Sequence, residues 1–161
     1  MESNIRARSV CFTGHRHINN DLDMKKLEET VKELIASGCN IFICGGALGF
    51  DTVAANLILK LKEQYPGIKL CLYLPCNNQD ARWSVSDRMI YREILERADY
   101  VDMPPSPYYD GCMRERNYKM ADNSSVCICY LNGDMKSGTA QTVRYARRMG
   151  LSIINVAKSV I

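Results

Sequence analysis

Along this chain the apolar residues switch repeatedly between short continuous runs of strand length and longer runs spaced at the period of one helical face. SVCFT, residues 9–13, is the first short run, and it stops at Gly14. From about Asp21 to Ser37 the positions Met24, Leu27, Val31, Leu34 and Ile35 predict a helix that Gly38 ends. Ile41 to Cys44 is a second strand and runs directly into Gly45-Gly46 and Ala47-Leu48-Gly49. Asp51-Thr52 then opens a helix whose inward stripe is Val53, Ala54, Leu57, Ile58 and Leu61, and Pro66-Gly67 closes that unit. Ile68 to Leu74 reads as a third strand ended by Pro75, the loop PCNNQDARW follows, and a helix spans about Val85 to Arg97. Tyr100 to Met103 is a short strand, PPSPYYDG (104–111) a proline-stiffened loop, and about Cys112 to Ala121 a helix. Ser125 to Leu131 is an uninterrupted apolar strand of the kind buried on both faces of a parallel sheet. The loop NGDMKSGT, a helix from about Thr139 to Met149 and a strand from Leu151 to Val156 complete the pattern.

This alternation predicts a doubly wound α/β domain, with a mostly parallel sheet sandwiched by helices and ligands held beyond the carboxyl ends of the strands. The length of 161 residues suits one domain, 1–161, with a core that needs neither disulfides nor metal. No internal repeat or linker interrupts it.

Composition narrows the function. The 21 basic and 18 acidic residues leave a net charge of only +3, and no block of like charge stands out. No aromatic residues are read as interleaved with a basic stripe, which argues against nucleic acid as a partner. No leader or membrane-length apolar run is read, so the expected location is the cytoplasm and a membrane is not expected. The eight cysteines form no C-x-x-C pair, and Cys11, Cys44, Cys71, Cys127 and Cys129 fall inside strand-like runs, as buried free thiols would.

Three loops then converge on one sheet edge: Thr13-Gly14-His15-Arg16, Gly45 to Asp51, and Asn132 to Thr139. Two are glycine turns into helix starts, where unpaired N–H groups and the positive dipole end favour an anion. In the first, Gly45, Gly46 and Gly49 either let a ligand approach the backbone or only satisfy turn geometry. In the second, Ser137, Gly138 and Thr139 either bind a phosphate, with Lys136 nearby, or only cap the helix. Arg16 adds a planar guanidinium suited to phosphate, and His15 lies beside it. Asp51 either stabilises the helix dipole or addresses ribose hydroxyls or a water, and it is the candidate catalytic acid. Arg116 and Asn117, in the helix after the tyrosine loop, reach the same edge, with Arg114 nearby. Trp83 either stacks on a base or plugs the core. The His15-x-His17 pair lacks further ligands at metal spacing, so no metal is expected.

The segments FTGHR at 12–16, GGALGFDTVAA at 45–55, LPC with Gln79 and Trp83, RNYKM at 116–120 and YLNGDMKSGTAQTVRYA at 130–146 resemble the YpsA-like family of bacterial proteins, across nearly the whole chain. That family belongs to the SLOG superfamily, which also includes LOG-type phosphoribohydrolases and DprA DNA-processing proteins. The resemblance implies a Rossmann-like fold whose glycine loops cradle a nucleotide or a relative of NAD or ADP-ribose, and the paired turns, with a departure from the LOG-type pattern at the second of them, favour a sensor or regulatory module. LOG-type enzymes read P-G-G-x-G-T-x-x-E at the second turn, whereas here Thr142 stands at the glutamate and the proline-glycine start is absent. A hydroxyl does not stabilise an oxocarbenium-like centre as a carboxylate does, so binding is expected in place of catalysis. A glycosidic hydrolase using Asp51 is the alternative, a DprA-like single-strand DNA binder a weaker one. A protein partner and a homo-oligomer stay open.

Overall fold

Every strand of the sheet points the same way. The computed structural model describes residues 2–158, with strands β1 (Ser9–Gly14), β2 (Ile41–Cys44), β3 (Lys69–Tyr73), β4 (Tyr100–Asp102), β5 (Val126–Tyr130) and β6 (Ser152–Asn155). They form one parallel sheet in the order β4-β3-β2-β1-β5-β6. The helices are α1 (Glu2–Ala7), α2 (Met24–Ala36), α3 (Phe50–Leu61), α4 (Val85–Arg97), α5 (Cys112–Asp122) and α6 (Gly138–Arg148). This is the expected Rossmann-like α/β arrangement. The strand order reverses between β1 and β5, so a crevice opens beyond their carboxyl ends.

The register of side chains explains the layering. Along β1, Val10 and Phe12 face a core built with Leu27 and Val31 of α2, Ala54 and Ile58 of α3, and Tyr91 and Ile94 of α4. The intervening Cys11 faces the other side, where Ile43, Cys127 and Cys129 meet Met120 and Ala121 of α5 and Val143 and Ala146 of α6. All eight cysteines are free, and those on this second face act as small apolar residues that let α5 and α6 lie close. Burying each Phe, Leu or Ile of this kind is worth about 1.5–3 kcal/mol.

Helix starts follow their caps. Asp23, Ser84 and Ser137 each accept an N–H of the first turn, from Lys26 at 3.0 Å, Asp87 at 3.2 Å and Ala140 at 3.1 Å. α2 therefore begins at Met24, not near Asp21, because Asp23 is the cap and Leu22 forms an isolated antiparallel bridge with Ala157. α1 is an element that the apolar pattern did not predict; Arg6 pins it to the carbonyl of Ser124 at 3.2 Å. Among the described residues no helix is long and apolar enough to cross a membrane.

Candidate functional site

The turn after β2 already holds an anion. Asp51 lies in the first turn of α3, and its Oδ2 accepts the N–H of Ala47 at 3.2 Å. One N–H of this turn is thus occupied by the chain's own carboxylate. The glycines serve packing. A Cβ on Gly49, whose φ is +82°, would stand 2.2 Å from the backbone oxygen of Arg16. One on Gly46 would meet Leu74 at 2.9 Å, and one on Gly14 the ring of Phe50 at 2.5 Å. A side chain at Gly45, Gly46 or Gly49 would thus collide with neighbouring protein atoms, and Ala47 and Asp51 of the same turn border the cleft.

Arg116 is the buried counterpart of Asp51. Its Nη1 donates to the carbonyls of Gly45 and of Tyr73, the latter at 3.3 Å, and its Nε donates to Asn117 Oδ1 at 2.9 Å. Both ionisable groups are only 6% exposed. Burial raises the Asp51 carboxyl above the usual range, against the opposing pull of Arg116, the Ala47 N–H, Arg16 and the Gly45 N–H. Burial likewise lowers the guanidinium of Arg116, against the attraction of Asp51. Desolvation outweighs mutual attraction on both sides.

The start of α6 is arranged differently. Ser137 caps the helix through Ala140, so the N–H groups of Gly138 and Thr139 have no intrahelical acceptor. A Cβ on Gly138 would meet nothing within 4 Å, so that turn faces open space. Thr13, Gly14, His15 and Arg16 lie opposite, with Ala47, Asp51, Met113, Arg116 and Asn117, around a cleft of about 280 Å³. His15 Nε2 accepts the N–H of Asn132 at 3.2 Å, which ties the loop after β1 to the loop after β5. Arg16 is exposed, and among the described residues no carboxylate lies within 4.0 Å of its guanidinium. Lys136 stands outside the cleft wall, exposed on the 132–137 loop. Thr142 Oγ1 donates to the carbonyl of Gly138 at 2.9 Å and is buried in α6.

Two further cavities share walls with the cleft. One, of about 460 Å³, shares Arg16 and Met113 and adds Gln79, Trp83 and Tyr108. Trp83 borders this cavity and packs edge-on against Tyr91 at 5.0 Å beside the core. The other, of about 350 Å³, lies between Tyr108, Arg114, Asn117 and Gly138. Met113 touches all three and was not a sequence candidate, although 113, 116 and 117 share a helical face.

The structure also corrects the reading of the surface charge. Arg144, Arg147 and Arg148 of α6 line a groove of about 640 Å³ together with Gln141 and Tyr118 of α5. Tyr118 is stacked on Tyr145, centroids 3.9 Å apart and planes 13° from parallel. Basic and aromatic side chains are interleaved here, contrary to the expectation used against nucleic acid.

Comparison with known proteins gives a consistent picture. A family model described as the YspA SLOG family matches residues 10–157. The SPbeta prophage-derived protein YoqJ of Bacillus subtilis is 32% identical over 136 residues, covering 76% of this chain and 79% of that protein. A UPF0398 protein of Halalkalibacterium halodurans is 27% identical over 145 residues, covering 89% and 77% respectively. Among solved structures, DprA of Streptococcus pneumoniae superposes with a TM-score of 0.70 at 18% identity, over 98% of this chain and 53% of that one. DNA processing protein A of Helicobacter pylori, described for its single-stranded DNA binding mode, superposes at 0.66 with 20% identity, over 96% and 66%. At that identity the likeness to both is one of fold.

Proposed function

The chain belongs to the YspA SLOG family, and from that premise we propose that its cleft binds a nucleotide or nucleotide derivative, such as a relative of NAD or ADP-ribose, as a sensor or regulatory module. The observation that carries this reading is the open start of α6: the N–H groups of Gly138 and Thr139 face the exposed Arg16 across a cleft of about 280 Å³. That volume suits a phosphate or ribose phosphate and falls below the roughly 300–1,000 Å³ of whole small-molecule sites. The remainder of the ligand extends into the neighbouring cavity, where Trp83 and Tyr108 offer flat faces to a base.

Binding is favoured over hydrolysis by two contacts. Thr142 turns its hydroxyl back to Gly138, and the Asp51 carboxylate is engaged by the Ala47 N–H. Thermal-shift and calorimetric titrations with AMP, NAD and ADP-ribose, against inorganic phosphate as a control, test the reading. One of the nucleotides should stabilise the protein, Arg16→Gln should weaken that effect, and no free base should be released. Equal stabilisation of the wild type and Arg16→Gln, or turnover dependent on Asp51, overturns it.

A second reading, single-stranded DNA binding, is favoured by the fold shared with the Helicobacter pylori protein and its described binding mode. It departs from the sequence expectation that nucleic acid is not a partner.

A further inference from the structure

We propose that the groove between α5 and α6 binds single-stranded nucleic acid, with Arg144, Arg147 and Arg148 holding the phosphodiester backbone and Tyr118 stacking on a base. This rests on the single-strand reading and assigns it a surface other than the cleft. The three arginines sit at i, i+3 and i+4, hence on one face of α6, over about 6 Å of helix axis. All three are exposed, and among the described residues no carboxylate lies within 4.0 Å of any of them. Positive charge left unpaired along a groove suits a ligand with repeating negative charge better than a compact anion.

The aromatic partner is braced. Tyr145 stacks behind Tyr118, its hydroxyl donates to Asp122 Oδ1 at 2.5 Å, and Arg148 lies over its ring at 5.9 Å from the centroid. Tyr118 is therefore a supported ring bordering a cationic groove, the combination by which sequence-tolerant single-strand binders hold bases and backbone together. An acidic peptide would use the arginines and leave the ring without a stacking partner. Gln141 borders this groove, which contains none of the residues around the cleft of Arg16.

The test is fluorescence anisotropy of the whole protein with labelled oligothymidylate, oligouridylate, a hairpin duplex and polyglutamate. We expect a single strand to bind, with affinity falling with salt at a log–log slope of about −2 for three phosphate contacts. Arg147→Gln/Arg148→Gln leaves the bond from Arg144 to the carbonyl of Met135 in place. It should bind at least about tenfold more weakly, with a slope reduced by about 0.7 per lost contact. Tyr118→Ala should lose about 5- to 150-fold and Tyr118→Phe little, while Arg16→Gln, in the cleft, should bind the strand as the wild type does. The oligothymidylate and oligouridylate arms tell DNA from RNA. If the strand binds but the arginine and Tyr118 variants are unaffected while Arg16→Gln fails, the groove assignment falls and the single-strand reading stands. No strand binding at low salt overturns both, and polyglutamate or duplex binding as tightly as the strands overturns the groove assignment.

Discussion

Asp51 and Arg116 both border the space above Gly45: a methyl group placed on that glycine would stand 2.6 Å from Nη1 of Arg116 and 2.9 Å from Oδ2 of Asp51. The missing side chain is the space in which the two buried charged groups sit. Gly45→Ala should therefore displace a guanidinium that donates to two carbonyls. The expected loss is about 1–3 kcal/mol, the usual cost of overpacking. Urea denaturation measures it, and an unchanged midpoint would show that Arg116 moves away without cost.

Asp51 itself should make stability depend on pH with a distinctive sign. Burial raises its folded carboxyl above 3.8, the ordinary value of a free carboxyl of this kind, so the folded state holds the proton more tightly than the unfolded chain. Its contribution to stability is then full below 3.8 and is lost as pH rises through the elevated folded value. Asp51→Asn, which keeps an oxygen for the Ala47 N–H, should be more stable than the wild type at neutral pH, and the two should converge in acid. Melting curves across pH that show the asparagine variant less stable at pH 7 would mean the ionised carboxylate is net stabilising.

The two glycine turns should respond oppositely to alanine. Gly49 combines a φ of +82° with backbone of Arg16 at 2.2 Å, so Gly49→Ala should prevent normal folding or lower the melting temperature severely. Gly138 has open space at its Cβ and helical neighbours, so Gly138→Ala should leave stability equal or slightly higher. Circular dichroism melts of the pair decide this, and similar losses for both would refute the contrast.

Ser137→Ala removes the acceptor for the Ala140 N–H and should cost about 1 kcal/mol of stability. Ligand affinity measured calorimetrically should fall in the same variant, because α6 then no longer starts at a fixed place. Full affinity with reduced stability would separate the cap from the site.

Trp83 is the single tryptophan of the chain, so its emission reports on one cavity wall. A nucleotide that raises the melting temperature should also change that emission. If the emission stays constant with such a ligand, the base does not lie against Trp83.

Much of the fold is legible because periodicity and burial are local. The run Ile41 to Cys44 and the stretch Val85 to Arg97 have the extents their patterns predict. ESNIRA at the start of the chain carries one large apolar side chain, Ile5, itself 50% exposed, so α1 has no stripe to read. In the site, the loops at Thr13–Arg16 and Ser137–Thr139 follow from strand ends in a parallel sheet. What sequence does not tell is whose atoms fill the space above a glycine: at Gly45 and Gly49 they belong to Arg116, Asp51 and Arg16. Tyr118 and Tyr145 become a stack only when α5 packs on α6, which hides the basic-aromatic pattern around Arg144-Tyr145-Ala146-Arg147-Arg148.

The strand order also has a consequence for how the protein is made. β1 is translated early, yet one of its neighbours is β5, and the bond from Ser125 to the carbonyl of Ser9 spans 116 residues. At ordinary elongation rates the ribosome needs on the order of ten seconds to reach that partner. Until then β1 keeps an apolar edge open, and neither the start of α6 nor the cleft facing it exists. A ligand of this site can therefore reward only the finished chain, and the nascent one must protect β1 without it.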